Sequence, residues 1–127
     1  MTDFANLQRK ARIDLGINIT IDLTDLRPNP ANNGYTQAHF VEGTIHYPDD
    51  EPGTLLYIKT TLTGEEPEDL LAYRRVHSSF PDETTADQFF DEDQFESYRK
   101  LGELSGDEVF YKENELEKVL LLSKKTV

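Results

Sequence analysis

Apolar and polar positions along the chain fall into blocks with different periods. Over residues 3–13, Phe4, Leu7 and Ala11, with Leu15 beyond them, recur at helical spacing, and Arg9, Lys10 and Arg12 gather toward the end of the block, where positive charge suits the helix dipole. Gly16 stops this helix. Ile17 to Leu23 then alternates strictly: Ile17, Ile19, Ile21 and Leu23 point one way, Asn18, Thr20 and Asp22 the other. That two-residue period predicts a strand with one buried face. Arg27-Pro-Asn-Pro-Ala-Asn-Asn-Gly34, with two prolines and Asn-Gly, predicts a loop with no regular element. A second strand is expected over His39–Tyr47, with Val41, Ile45 and Tyr47 on one face and Gly43 marking a bulge or a close approach. After the polar connection Pro48–Gly53, a third strand is expected over Thr54–Leu62, with Leu56, Ile58 and Leu62 on one face and Leu55 and Tyr57 on the other. Strands two and three should form an antiparallel hairpin, with the first strand added at an edge or pairing elsewhere.

The pattern then turns helical. Pro67 suits a first helical position, and Leu70, Tyr73 and Val76 form a stripe ending near His77. Phe80-Pro81 breaks it. Thr85 to Gln88 has capping-box spacing. Asp91 is the expected N-cap of a further helix, with Glu92 and Asp93 in its first turn, Arg99 and Lys100 in its last, Phe95 and Tyr98 on its core face, and Gly102 as its left-handed C-cap. Ser105-Gly-Asp107 reads as a linker to a last helix over residues 112–122, with Leu116, Val119 and Leu120 on one side. The expected fold is α+β: an N-terminal helix, a small, mostly antiparallel three-stranded sheet, then helices packed on one face. The expected division is residues 1–104 and a C-terminal linker and helix over residues 105–127.

A length of 127 residues suits a single modest core. The chain carries 25 acidic and 13 basic side chains, a net charge of −12. That charge argues against nucleic-acid partners and against docking on anionic lipid. Residues 65–108 concentrate it, with 14 acidic against 4 basic side chains. Such a segment is either a solvated face or a docking surface for a basic partner. Cysteine is absent, which excludes disulfides, thiolate zinc sites and thiol nucleophiles. No apolar run approaches a membrane span, Val119–Leu122 being only a short one. Met1-Thr-Asp-Phe-Ala5 lacks the basic start and apolar stretch of a signal peptide, so the cytoplasm is the expected compartment.

Tests for chemistry give no catalytic residue, no cofactor-binding residue and no metal ligand set. Asp87, Asp91 and Asp93 invite a calcium reading, but the glycine an EF-hand loop requires at its sixth position is missing: counted from Asp91, that position is Glu96. Acids collecting at a helix N-terminus explain them. His39 and His46, seven residues apart on one predicted strand, point to opposite faces and cannot be a same-strand ligand pair. His77 falls near a helix C-terminus. Ser78, Ser79, Ser97, Ser105 and Ser123 lie in no glycine-flanked strand–turn–helix elbow, and there is no phosphate-binding glycine loop. Adjacent Phe89 and Phe90 cannot both enter one core, so one ring is expected to look outward.

One stretch carries a family resemblance. Leu56 to Gly102 contains Tyr57-Ile-Lys, Leu62-Thr-Gly-Glu-Glu-Pro67, Thr85-Ala-Asp-Gln-Phe-Phe-Asp-Glu92 and Gln94-Phe-Glu-Ser-Tyr-Arg99 followed by Leu101-Gly102. This resembles the C-terminal end of bacterial patatin-like phospholipases, and Asp3 to Ile17 resembles the stretch that follows that family's catalytic aspartate. The matches cover most of residues 3–102. The resemblance implies a parent that hydrolyses lipid acyl esters through a Ser–Asp dyad. The dyad's G-x-S-x-G serine and Asp-Gly-Gly or Asp-Gly-Ala aspartate are both missing from this sequence. Asp82 also stands where the pattern leads one to expect histidine after Phe-Pro. The expectation is a non-catalytic C-terminal portion of such an enzyme, not itself an enzyme, with a patatin-like catalytic region or a second copy of itself as partner. The alternative is a stand-alone, small, acidic protein-interaction module.

Overall fold

The computed structural model describes residues 2–84, 86 and 89–125, with side chains described up to Tyr111. The first helix, α1, spans Thr2–Leu15. Gly16 ends it at φ +67°, its amide bonding to the Arg12 carbonyl at 3.2 Å. Of the apolar residues on α1, Phe4 is buried against the sheet, its ring 4.8 Å from that of Tyr57, whereas Leu7 and Leu15 are exposed.

Three strands follow: β1 over Asn18–Ile21, β2 over Phe40–His46 and β3 over Gly53–Ile58. They form an antiparallel sheet in the order β1-β2-β3, so the first strand is an edge. The register sets Ile19 beside Ile45, Gly43 between Ile21 and Leu55, and Val41 beside Tyr57. One face therefore gathers the β-branched and aromatic side chains that the alternation predicts. Gly43 is a close approach and not a bulge: a Cβ there would lie 2.8 Å from both the Ile21 Cβ and the Thr20 carbonyl oxygen.

Between β1 and β2 the chain makes two short 3-10 turns, Thr24–Leu26 and Pro30–Asn32. The second corrects the expectation of a loop without regular structure. Pro30 opens the turn, where its missing amide costs nothing, and the Asn29 side chain accepts from the Ala31 amide at 3.0 Å. Asp22 accepts from the Thr24 amide and hydroxyl at 2.9 and 2.6 Å, which holds its carboxyl below the usual range. Leu26 is fully buried.

β3 ends at Ile58, short of the expected Leu62. Leu62 instead joins Leu70, Phe80 and Leu101 in a second core, with Tyr35, Tyr73, Tyr98 and Leu104 packed around it. Phe80 meets Tyr73 and Tyr98 edge-on, at centroid distances of 5.0 and 4.9 Å. Helix α2 spans Glu68–Val76, with Pro67 at its cap, one position earlier than expected, and Val76 exposed. The predicted capping box Thr85–Gln88 lies outside the described residues.

Helix α3 spans Glu92–Lys125 without interruption, and this overturns the expected C-cap at Gly102 and the linker at Ser105–Asp107. Asp91 caps it as predicted, accepting from the Gln94 amide at 2.7 Å. Leu101, Ser105 and Val109, four residues apart, form a buried stripe, and the Ser105 hydroxyl donates to the Leu101 carbonyl at 2.8 Å. Packing on this stripe outweighs the ~1 kcal/mol that each helical glycine costs. Phe95, expected in the core, is exposed, while Tyr98 is half-buried beside Phe80. The α+β architecture thus stands, with α1 on the sheet and α2 packed on α3 around the second core.

Candidate functional site

The densest group of buried polar side chains gathers where the start of β2, the segment after β3 and the middle of α3 meet. His39, the residue before β2, is anchored by its carbonyl, which accepts from the Lys59 amide at 2.9 Å. Its ring is almost completely buried. Nδ1 lies 3.3 Å from the Thr61 Oγ1, and that hydroxyl donates to the Ala38 carbonyl at 2.8 Å. With the hydroxyl proton so used, Nδ1 is the donor. Nε2 faces two carboxylates, the Glu66 Oε1 at 3.4 Å and the Glu108 Oε2 at 3.6 Å.

Glu66 is the best-held member. Its Oε1 accepts from the Thr63 amide at 2.7 Å and the Thr63 hydroxyl at 3.1 Å, and its Oε2 accepts from the Gly64 amide at 2.9 Å. This closes a tight turn in which Gly64 adopts φ +92°, and a Cβ there would lie 2.9 Å from the Tyr35 ring. Glu108 arrives from α3 and is partly exposed. A cleft of about 400 Å³ opens beside the cluster, walled by Thr36, Gln37, Thr63, Glu65 and Leu104 among others.

This arrangement binds three segments together through the His39 ring and two carboxylates. It does not assemble a nucleophile. The Thr36 and Thr61 hydroxyls both donate to the Ala38 carbonyl, at 3.0 and 2.8 Å. The Ser97 and Ser105 hydroxyls turn back to the helix carbonyls of Asp93 and Leu101, at 2.7 and 2.8 Å. Ser78 and Ser79 are exposed in the turn after α2, and the Ser123 side chain is outside the described residues.

The structure separates the three histidines. His46 is exposed at the far end of β2. His77 caps α2, stacked on Tyr73 at 4.0 Å with Nδ1 3.2 Å from the Tyr73 carbonyl. Among the described residues no three histidine or carboxylate groups are placed to hold a metal ion, and Asp87 of the calcium reading lies outside them. Both Phe89 and Phe90 are exposed, where at least one was expected to be.

Sequence reasoning missed the His39–Glu66–Glu108 cluster. Its members are far apart in the chain, and judging His39 only against His46 on its own strand left cross-chain carboxylates out of view. One local signal was available: a glutamate two residues after a glycine, positioned to accept from the turn amides. Comparison with known proteins gives no matching family model, no matching curated sequence and no matching solved structure. No described helix is long and apolar enough to cross a membrane.

Proposed function

We propose that this chain is the non-catalytic C-terminal portion of a patatin-like phospholipase and that it lies against the catalytic region of such an enzyme. One observation carries the reading beyond the sequence resemblance. Helix α1, whose sequence resembles the stretch following the family's catalytic aspartate, buries Phe4 on the sheet yet leaves Leu7, Ile13 and Leu15 at 50, 69 and 65 % exposure. Apolar groups left open on a short helix are the kind a neighbouring body covers.

Two measurements test this. Purified chain should hydrolyse neither short-chain nitrophenyl esters nor phospholipid vesicles; turnover abolished by a Ser→Ala change would overturn the non-catalytic reading. A separately expressed patatin-like catalytic region should bind the chain, and Leu7→Ser with Ile13→Ser should weaken that binding. The concentrated charge of residues 65–108 supports a second reading, a stand-alone acidic interaction module. Indifference to the catalytic region, with retained binding to a basic protein, would select it.

A further inference from the structure

We propose that α3 is a self-association helix: two copies of the chain pair their α3 helices antiparallel, the basic tail of each seated in an acidic aromatic cleft of the other. This does not rest on the phospholipase reading, because it uses neither the family motifs nor the exposed face of α1.

The cleft lies at the start of α3. Pro81, Thr84, Phe90, Phe95 and Tyr98, with Glu83, wall a space of about 340 Å³. That is room for one or two aliphatic side chains. Two of its walls are large rings left open, Phe90 at 54 % and Phe95 at 64 % exposure. The rim is negative. Asp82 is neutralised by Lys59 at 3.0 Å, and Glu96 by Arg99 at 2.7 Å. Glu83 instead accepts from the neutral Gln94 amide at 3.1 Å, and Asp91 from the Gln94 backbone, so among the described residues neither is held by a cation, with Glu92 and Asp93 alongside. The occupant that fits is an apolar segment flanked by cations, and an anionic membrane is repelled.

The chain contains such a segment at the other end of the same helix. Lys118-Val-Leu-Leu-Leu-Ser-Lys-Lys125 is an apolar block between lysines. Being on one continuous helix, cleft and tail are separated by ~39 Å of axial rise from Phe95 to Leu121. A tail therefore reaches a cleft only in a second molecule. Antiparallel pairing of the two helices makes both contacts at once and closes the pair about a two-fold axis.

The middle of α3 agrees. Leu101, Ser105 and Val109 face the chain's own core, whereas the adjoining face presents Phe95, Gly102, Gly106 and Phe110 at steps of seven, four and four residues. A Cβ at Gly102 or Gly106 would meet nothing within 4 Å, so a second helix can approach closely there. Phe110, 67 % exposed, and Tyr111, 70 % exposed, stand near the midpoint of α3, where the two-fold axis would pass.

The chain has no cysteine, which makes single-cysteine cross-linking clean. Glu92→Cys and Ser123→Cys variants of the full chain, mixed and mildly oxidised, should give predominantly the mixed disulfide. Predominance of same-variant disulfides would overturn the antiparallel arrangement, and no cross-link at all would overturn the pairing. Sedimentation equilibrium supplies the second readout. Phe110→Ser, at an exposed position where circular dichroism should show an unchanged fold, should raise the dimer dissociation constant at least about tenfold. An unchanged constant, or a wild-type chain that stays monomeric into the hundreds of micromolar, would sink the proposal.

Discussion

Phe80 and Phe95 show what a single side chain contributes on either side of the protein surface. Phe80 is 1 % exposed and wedged edge-on between Tyr73 and Tyr98. Truncating it to alanine opens a cavity among rings that cannot collapse, and the expected loss is ~3–5 kcal/mol. Phe95 is 64 % exposed, so in the dissociated chain Phe95→Ala should change stability by less than ~0.5 kcal/mol. Urea midpoints of the two variants measure the contrast. The sequence pointed Phe95 inward because it stands three residues before Tyr98. Two successive three-residue steps, Phe95 to Tyr98 to Leu101, fall short of two full turns by about a third of a turn, which carries Phe95 off the buried stripe. Tyr98 offers a second test at this scale. Burial pushes its phenol from 10.0 up to about 12, with the nearby Glu83 charge adding to the rise while the Glu83 amide hydrogen bond opposes it. Between these values the folded chain keeps a proton that the unfolded chain releases. This contribution to stability is therefore complete below pH 10.0 and disappears as pH rises through about 12. Burial also raises the Tyr73 phenol, so tyrosinate absorbance should show a late-ionising component to which both contribute, and replacement of Tyr98 by Phe should reduce it.

At the scale of elements, the strands and the starts of the helices were legible, whereas the end of β3 and the reach of α3 past Gly102 were not. Strict alternation from Ile17 to Leu23 located β1, and Gly43 was flagged as a bulge or a close approach, of which its contacts with Ile21 and Thr20 select the second. A two-residue period is set locally by the pleat, so it survives in the sequence. Where a helix stops depends on what its far end packs against, and the signal at Gly102 and Ser105-Gly106 was overridden by burial of Leu101, Ser105 and Val109. The two glycines accordingly respond in opposite directions. In the dissociated chain, Gly102→Ala, in open space mid-helix, should stabilise the protein by ~0.5–1 kcal/mol. Had Gly102 been a left-handed C-cap, the same change would destabilise it. Gly43→Ala should be destabilising, since its methyl would meet a backbone oxygen at 2.8 Å. Thermal melts of both variants give the two signs.

For the whole molecule, the joint between the sheet and the helical core matters most, and His39 is central to it. The ring reaches Glu66 in the segment after β3 and Glu108 on α3. No local pattern announces such a joint, because its partners are 27 and 69 residues away in the sequence. Replacing His39 with leucine leaves the nearly buried Glu66 facing an apolar group and should cost ~1–3 kcal/mol. The same change should raise hydrogen exchange in the middle of α3 more than in β1, if the joint holds the helix to the sheet. Equal exchange in both would confine the histidine's role to its own loop.

The sheet itself has a handed vulnerability. On its β1 side the Gln8 side chain donates to the Ile19 carbonyl at 3.0 Å, so the first helix occupies part of that margin. On its other side β3 pairs, among the described residues, with β2 alone. Every second amide of Gly53–Ile58 thus has no strand partner and should lose its deuterium label quickly, while the intervening amides, tied to β2, retain it. The resulting saw-tooth in exchange along a single strand would mark β3 as a margin on which a further strand can be laid.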